Sequence, residues 1–197
     1  MKKNKFLLVV ILIFSQFFLY TSVFGDILKI GNNNAKITVK VFSSLTCPHC
    51  ASFHENIFKN LKKDYIDKNK VKFEHHAFPL DLAALNAELI VRCNNDINKK
   101  LQLLSEIYKK QNEWAVGSDI MPINKSIKKI GLSLGLQDND MSKCLENEKM
   151  QDQILNERID AQKKYNINST PTILINEKKY TGKHNYQDFK KELEKFL

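Results

Sequence analysis

The sequence predicts an α/β fold: an open sheet shared between a strand-helix-strand half and a strand-strand-helix half, with a large block of helices inserted between them. Three observations carry this reading. Short alternating apolar runs cluster near the two ends of the folded chain, and the roughly 85 residues between them place apolar side chains at helical intervals only. A Cys47-Pro48-His49-Cys50 motif stands where the second apolar run gives way to a helical pattern.

The first segment precedes the fold. Lys2, Lys3 and Lys5 lead into an apolar stretch from Phe6 to Tyr20 interrupted only by Ser15 and Gln16, and Val23-Phe24-Gly25 suits a cut before Asp26. Residues 1–25 therefore read as a secretory signal peptide, or as an anchor if uncleaved, since about 20 residues span a bilayer. Both readings put the folded part outside the cytoplasm, in the periplasm. About 170 residues follow, enough for one domain with a single sizeable core. The chain carries 31 Lys and Arg against 22 Asp and Glu, a net charge of +9. Outside the leader its lysines fall in pairs such as Lys62-Lys63, Lys99-Lys100 and Lys128-Lys129, at the polar phase of helical patterns, which marks solvated faces. No basic stripe interleaved with aromatic residues is present, so nucleic acid is not an expected partner.

The elements follow in order. Ile27 to Ile30 reads as a short edge strand, and Asn32 to Asn34 as a turn. Lys36 to Ser43 is a longer strand with Ile37, Val39 and Val41 on one face. A helix from Cys47 to Tyr65 buries Phe53, Ile57 and Leu61, and a third strand, Val71 to Phe78, stops at Pro79. Strand, helix, strand makes a right-handed parallel crossover, which puts the cysteines at a strand's carboxyl end, where open α/β sheets carry their sites. Helical stripes then recur: Leu82, Leu85, Leu89, Cys93; Ile97, Leu101, Leu104, Tyr108; Ile123, Ile127, Ile130, Leu134; and Met141, Cys144, Leu145. Pro122 suits the start of the third of these helices and Gly135 its end. Strands return at Thr172 to Ile175 and Lys179 to Thr181 around a turn at Asn176-Glu177. A last helix, Tyr186 to Leu197, buries Phe189, Leu193 and Phe196 or Leu197. The expected division is a sheet domain of residues 26–79 and 166–197 with an inserted helical subdomain of residues 80–165.

Two cysteines three positions apart at the first turn of a helix lie at its positive end, where free N–H groups stabilise a thiolate. Cys47, on the solvent side, is expected to attack or be attacked. Cys50, one turn inward, is expected to resolve the mixed disulfide. His49 would assist the Cys47 thiolate by a hydrogen bond or positive charge, and Pro48 would fix the turn. An alternative use of the same region is a metal site from Cys47, His49, Cys50 and His54, but helix geometry places the two histidines on different faces.

With CPHC placed after a strand, a secretory leader, a helical insertion and a distant Thr170-Pro171, the chain resembles the DsbA-like branch of the thioredoxin-fold disulfide oxidoreductases, over nearly all of Asp26 to Leu197. The resemblance implies a thioredoxin fold with a large helical insertion between its two halves. It also implies a cis Pro171 beside the cysteines, with Thr170 offering its backbone to a substrate peptide. The activity implied is introduction of disulfides into newly exported proteins, without a diffusible cofactor or metal. Its substrates would be reduced, unfolded exported polypeptides, bound by a monomer that a quinone-linked membrane oxidase of the DsbB type reoxidises. A disulfide isomerase or reductase is the competing activity. The chain departs from the family in one respect: the buried glutamate common six residues before the first cysteine is here Val41, leaving Glu74 or His76 on the next strand as substitutes.

Cys93 and Cys144 fall on apolar stripes of two different inserted helices. In an oxidising compartment an even cysteine count favours a second, structural disulfide between them.

Overall fold

The computed structural model describes residues 27–197, and the leader read from the sequence lies outside them. Five strands form one sheet in the order β1-β3-β2-β4-β5: β1 Leu28–Ile30, β2 Ile37–Ser43, β3 Val71–Ala77, β4 Thr172–Ile175 and β5 Lys178–Lys179. Strands β2 and β3 run parallel, with Val41 opposite His75, whereas β1, β4 and β5 pair antiparallel with their neighbours. A parallel pair needs a crossover longer than a hairpin. Helix α1, residues 48–66, supplies it, with π-helical turns at His54–Phe58 and Lys62–Ile66.

The alternation of β2 and β3 assigns a layer to each face. Ile37, Val39, Val41, Val71 and Phe73 pack on Phe53, Ile57 and Leu61 of α1 and on Phe189 and Leu193 of helix α8, Tyr186–Glu194. The opposite face, through Phe42 and Leu174, packs on Ala161 and Tyr165 of helix α7, Glu148–Tyr165. The chain is therefore a helix-sheet-helix sandwich with further helices at one end. These are α2 Leu82–Arg92, α3 Ile97–Lys109, α4 Gln111–Trp114, α5 Ile120–Ser133 and α6 Asp138–Leu145. Their shared core of Ile90, Leu103, Leu104, Ile107, Ile127 and Met141 also encloses Leu45, Cys47 and Cys50. The helical block thus roofs the motif.

Local chemistry sets the ends of these helices. Asp81 accepts from the Ala84 N–H at 2.7 Å to open α2, and Asp119 accepts from the Met121 N–H at 2.9 Å to open α5, where Pro122 sits in the first turn and needs no intrahelical donor. Gly135, at φ +83°, lies just past the end of α5.

The last hairpin, helix α8 and helix α7 differ from the sequence reading. The last hairpin resumes at Lys178, not Lys179, because Asn176 and Glu177 both take positive φ, 45° and 67°, and so form a tight two-residue turn. Helix α8 ends at Glu194, leaving Leu197 51% exposed. Helix α7, 18 residues long, has no apolar stripe in the sequence reading; it buries only Met150, Ile154 and Ala161. Among the described residues no helix is long and apolar enough to cross a membrane.

Candidate active site

Strand β2 delivers the chain to Ser43, and a turn closed by the Cys47 N–H donating to the Ser44 carbonyl at 3.1 Å swings it into α1. Cys47 is the N-cap, with extended backbone (φ −80°, ψ 118°). Its own carbonyl accepts from the N–H groups of Cys50 and Ala51 at 3.0 and 3.2 Å. Pro48 occupies the first helical position, where a missing N–H costs nothing. No side chain caps this helix, so its free N–H groups face the Cys47 sulfur.

The two thiols are treated oppositely by their surroundings. Cys47 retains 8% exposure and Cys50 only 1%. The Cys47 thiol is pulled down to about 5. A hydrogen bond from the Cys50 thiol is the main cause; burial opposes it, and Thr170 and the backbone N–H groups of Cys50 and His49 add to it. Cys50 moves the other way, pushed far above the ordinary thiol range by burial and by the Cys47 thiolate beside it. One sulfur is a poised nucleophile at neutral pH; the other holds its proton.

Opposite the cysteines runs the loop before β4. Thr170-Pro171 is cis, and the Cys47 thiol, when protonated, donates to the Thr170 carbonyl at 3.4 Å. The structure therefore brings Cys47, Cys50, Thr170 and Pro171 together. His49 stands at the edge of this group. The residue is exposed and lines an adjoining cleft, and its backbone N–H is among the groups that favour the Cys47 thiolate. His54 is buried, accepts or donates at 2.9 Å to the Ser105 hydroxyl and stacks on Phe58, so it faces away from the cysteines' solvent side.

Neither Glu74 nor His76 lies near Cys50. Both project from the α7 face of the sheet, where Glu74 pairs with Lys72 at 2.9 Å and His76 at 3.0 Å, while α1 packs on the other face. The titratable residue of β3 on the α1 face is His75, the register partner of Val41. Its Nε2 meets Glu88 of α2 at 3.1 Å, and Glu88 also accepts from Arg92 Nε at 2.9 Å. Burial would raise the Glu88 carboxyl, but His75 and Arg92 hold it low. Two other residues were not read from the sequence as parts of the site. Gln111, buried, donates from Nε2 to the carbonyls of Leu45 and Cys47 at 2.8 and 3.1 Å, fixing the turn that carries the motif. Tyr108, also buried, packs in the same cluster as both cysteines. A glutamine outside any stripe gives no sequence signal, and Tyr108 reads only as core.

Cys93, at the end of α2, and Cys144, in α6, are joined by a disulfide. Among the described residues no group of three or more His, Cys, Asp or Glu side chains is placed to hold a metal ion.

A mixed five-stranded sheet bearing a dithiol at a helix start, with a cis-proline loop across from it, defines a thioredoxin-type architecture. The thioredoxin family model matches residues 24–195, and the chain belongs to that family. The crystal structure of Wolbachia pipientis alpha-DsbA1 superposes with a TM-score of 0.79 at 24% identity, covering 87% of this chain and 90% of that one. Oxidised BdbD of Bacillus subtilis gives 0.75 at 25%, covering 86% and 92%. In sequence, disulfide bond formation protein D of Bacillus subtilis is 29% identical over 177 residues, 85% of this chain and 76% of that protein. A curated relative from Rickettsia bellii is 31% identical over 147 residues, 75% of this chain; the match spans 56% of that relative's length.

Proposed function

We propose that this chain is an exported thiol-disulfide oxidoreductase that introduces disulfides into newly secreted polypeptides. The observation that supports it best is the contrast within one motif: a Cys47 thiolate at a helix N-terminus beside cis Pro171, and a buried Cys50 that keeps its proton. In the oxidised enzyme a substrate thiolate attacks Cys47 Sγ, the Cys47–Cys50 bond breaks, and Cys50 departs as a thiolate that takes up a proton. The substrate's second thiolate then attacks its own sulfur in the mixed disulfide and expels Cys47 as a thiolate. The substrate loses two electrons and two protons; the enzyme gains both electrons, keeps one proton on Cys50 and yields the other to solvent. A thiolate stabilised at Cys47 favours the reduced form, which makes the disulfide oxidising. Thr170 and Pro171 hold the substrate backbone. A DsbB-type quinone-linked membrane oxidase returns Cys47 and Cys50 to the disulfide, and residues 1–25 direct the chain to the periplasm as a signal peptide or an anchor.

Cys50→Ala should accumulate substrates as mixed disulfides on Cys47, and Cys47→Ala should accumulate none. Equal trapping by the two variants overturns the roles. Equilibration of the protein with glutathione separates an oxidant from the competing reductase or isomerase reading: a disulfide as hard to reduce as that of thioredoxin excludes the oxidase.

A further inference from the structure

We propose that the cleft between His49, the Thr170-Pro171 loop and the β4-β5 hairpin selects polypeptides with an acidic side chain two residues from the reacting cysteine. This rests on the oxidoreductase reading above and adds the substrate class to it.

The cleft has a volume of about 580 Å³ and adjoins Cys47 through His49 and Thr170. Its far wall carries Lys179, Tyr180 and His184, and no Asp or Glu lines it. Lys178, Lys179, Lys183 and His184 fall within seven residues that contain no carboxylate. The nearest acids in sequence are engaged elsewhere: Glu177 bonds Lys40 and the Tyr165 hydroxyl, and Asp188 accepts from the Asn185 amide at 2.9 Å. Lys179 spends one N–H on the Asn166 carbonyl at 2.8 Å, which fixes its ammonium and leaves its charge uncompensated by any ion pair found among the described residues. The Tyr180 hydroxyl donates to the Lys183 carbonyl at 2.6 Å and its ring stacks 6.4 Å from that of His184, holding the wall in shape. Lys178, one residue away in an extended segment, turns to the other side and lies over Phe196.

A second cleft, of about 480 Å³, opens beside Thr46 on the motif's other flank. It is lined by Leu82, Ala83, Ala115 and Ile120 and contains no cationic side chain. Its single acid, Asp81, is already bonded to the Thr46 hydroxyl at 2.7 Å. The charge around the cysteines is thus one-sided. An extended peptide rises about 3.3 Å per residue and repeats its facing every second residue, so the side chain two positions from a cysteine at Cys47 falls about 7 Å along the cleft. A carboxylate there meets the Lys179 ammonium and the His184 ring with no competing acid.

The test uses the oxidised full-length protein and three two-cysteine peptides that differ only in the residues two positions either side of one cysteine: Glu, Gln or Lys. The second-order rate of peptide oxidation should fall in the order Glu, Gln, Lys, with a Glu-to-Lys ratio of about 10 at low ionic strength that shrinks several-fold in 0.5 M salt. Combining Lys179→Met with His184→Gln should bring the ratio close to one, whereas Lys128→Gln with Lys129→Gln, on α5, should leave it in place. Equal rates for the three peptides overturn the selectivity while leaving the oxidase reading intact. A ratio that survives the cleft substitutions also overturns it, because the preference then comes from the chain's overall charge. Failure to oxidise any of the peptides overturns the oxidase reading beneath.

Discussion

At Cys47 the charge that burial would suppress is restored by a thiol three residues later, Thr170 and two backbone N–H groups. The sign of the resulting pH dependence follows. The folded thiol titrates at about 5, against about 8.5 for a cysteine in an unfolded chain. The stabilisation it gives to the reduced protein is therefore complete only above the unfolded value and disappears as pH falls through the folded one. Thermal melts of reduced and oxidised protein should differ most, in favour of the reduced form, near pH 8, and converge towards pH 5. A gap that widens on acidification contradicts the assignment. Cys50→Ala, which deletes the principal hydrogen bond, should move the Cys47 titration, followed by thiolate absorbance, upward. At this scale the motif was legible in the sequence because both cysteines and their helix position are local. The contribution of the His49 backbone N–H depends on how the helix start is turned, and four letters of sequence do not carry that.

Helix α2 links three layers, and its network gives the element scale its sharpest expectation. Glu88 joins His75 of the sheet to Arg92, whose guanidinium is also held by Glu157 of α7 at 2.7 and 3.1 Å. Replacing Glu88 by leucine removes the buried partner of His75 Nε2 and of Arg92 Nε, and deleting one member of a buried ion pair costs about 3–5 kcal/mol. Urea denaturation should register that loss, and a variant as stable as the native chain shows the network to be dispensable. Helices α1, α2, α3 and α5 were readable from apolar stripes because each buries a continuous face. Helix α7 was not. It buries only three side chains, and its pairing through Glu157 with Arg92 of α2 joins residues 65 apart in sequence, which no local pattern announces. The position six before Cys47 shows the same limit: Val41 announces a missing carboxylate, but only strand register reveals that His75 lies beside it.

For the molecule as a whole, the sheet with its insertion was legible because strand signals vanish over one long interval and return with the opposite half. The roofing of the motif by that insertion was not, since it depends on how helices meet. The bridge between Cys93 and Cys144 ties two of those helices across a sequence separation of 51. Replacing both by alanine should lower stability by up to about 4 kcal/mol in the chain-entropy description, while peptide oxidation by Cys47 and Cys50 persists. Loss of both together shows the bridge to shape the motif. The same bridge sits at one end of α2, whose other end is tied through Asp81 to Thr46, next to Cys47. Eleven residues of helix at 1.5 Å each hold the two ends about 16 Å apart, whereas disulfide exchange requires sulfurs in contact. The chain therefore carries two electrically insulated couples. Graded reduction should empty the Cys47–Cys50 pair without drawing electrons from or passing them to the other, so that a polypeptide captured on Cys47 leaves only through Cys50 or through its own second thiol, never through the bridge.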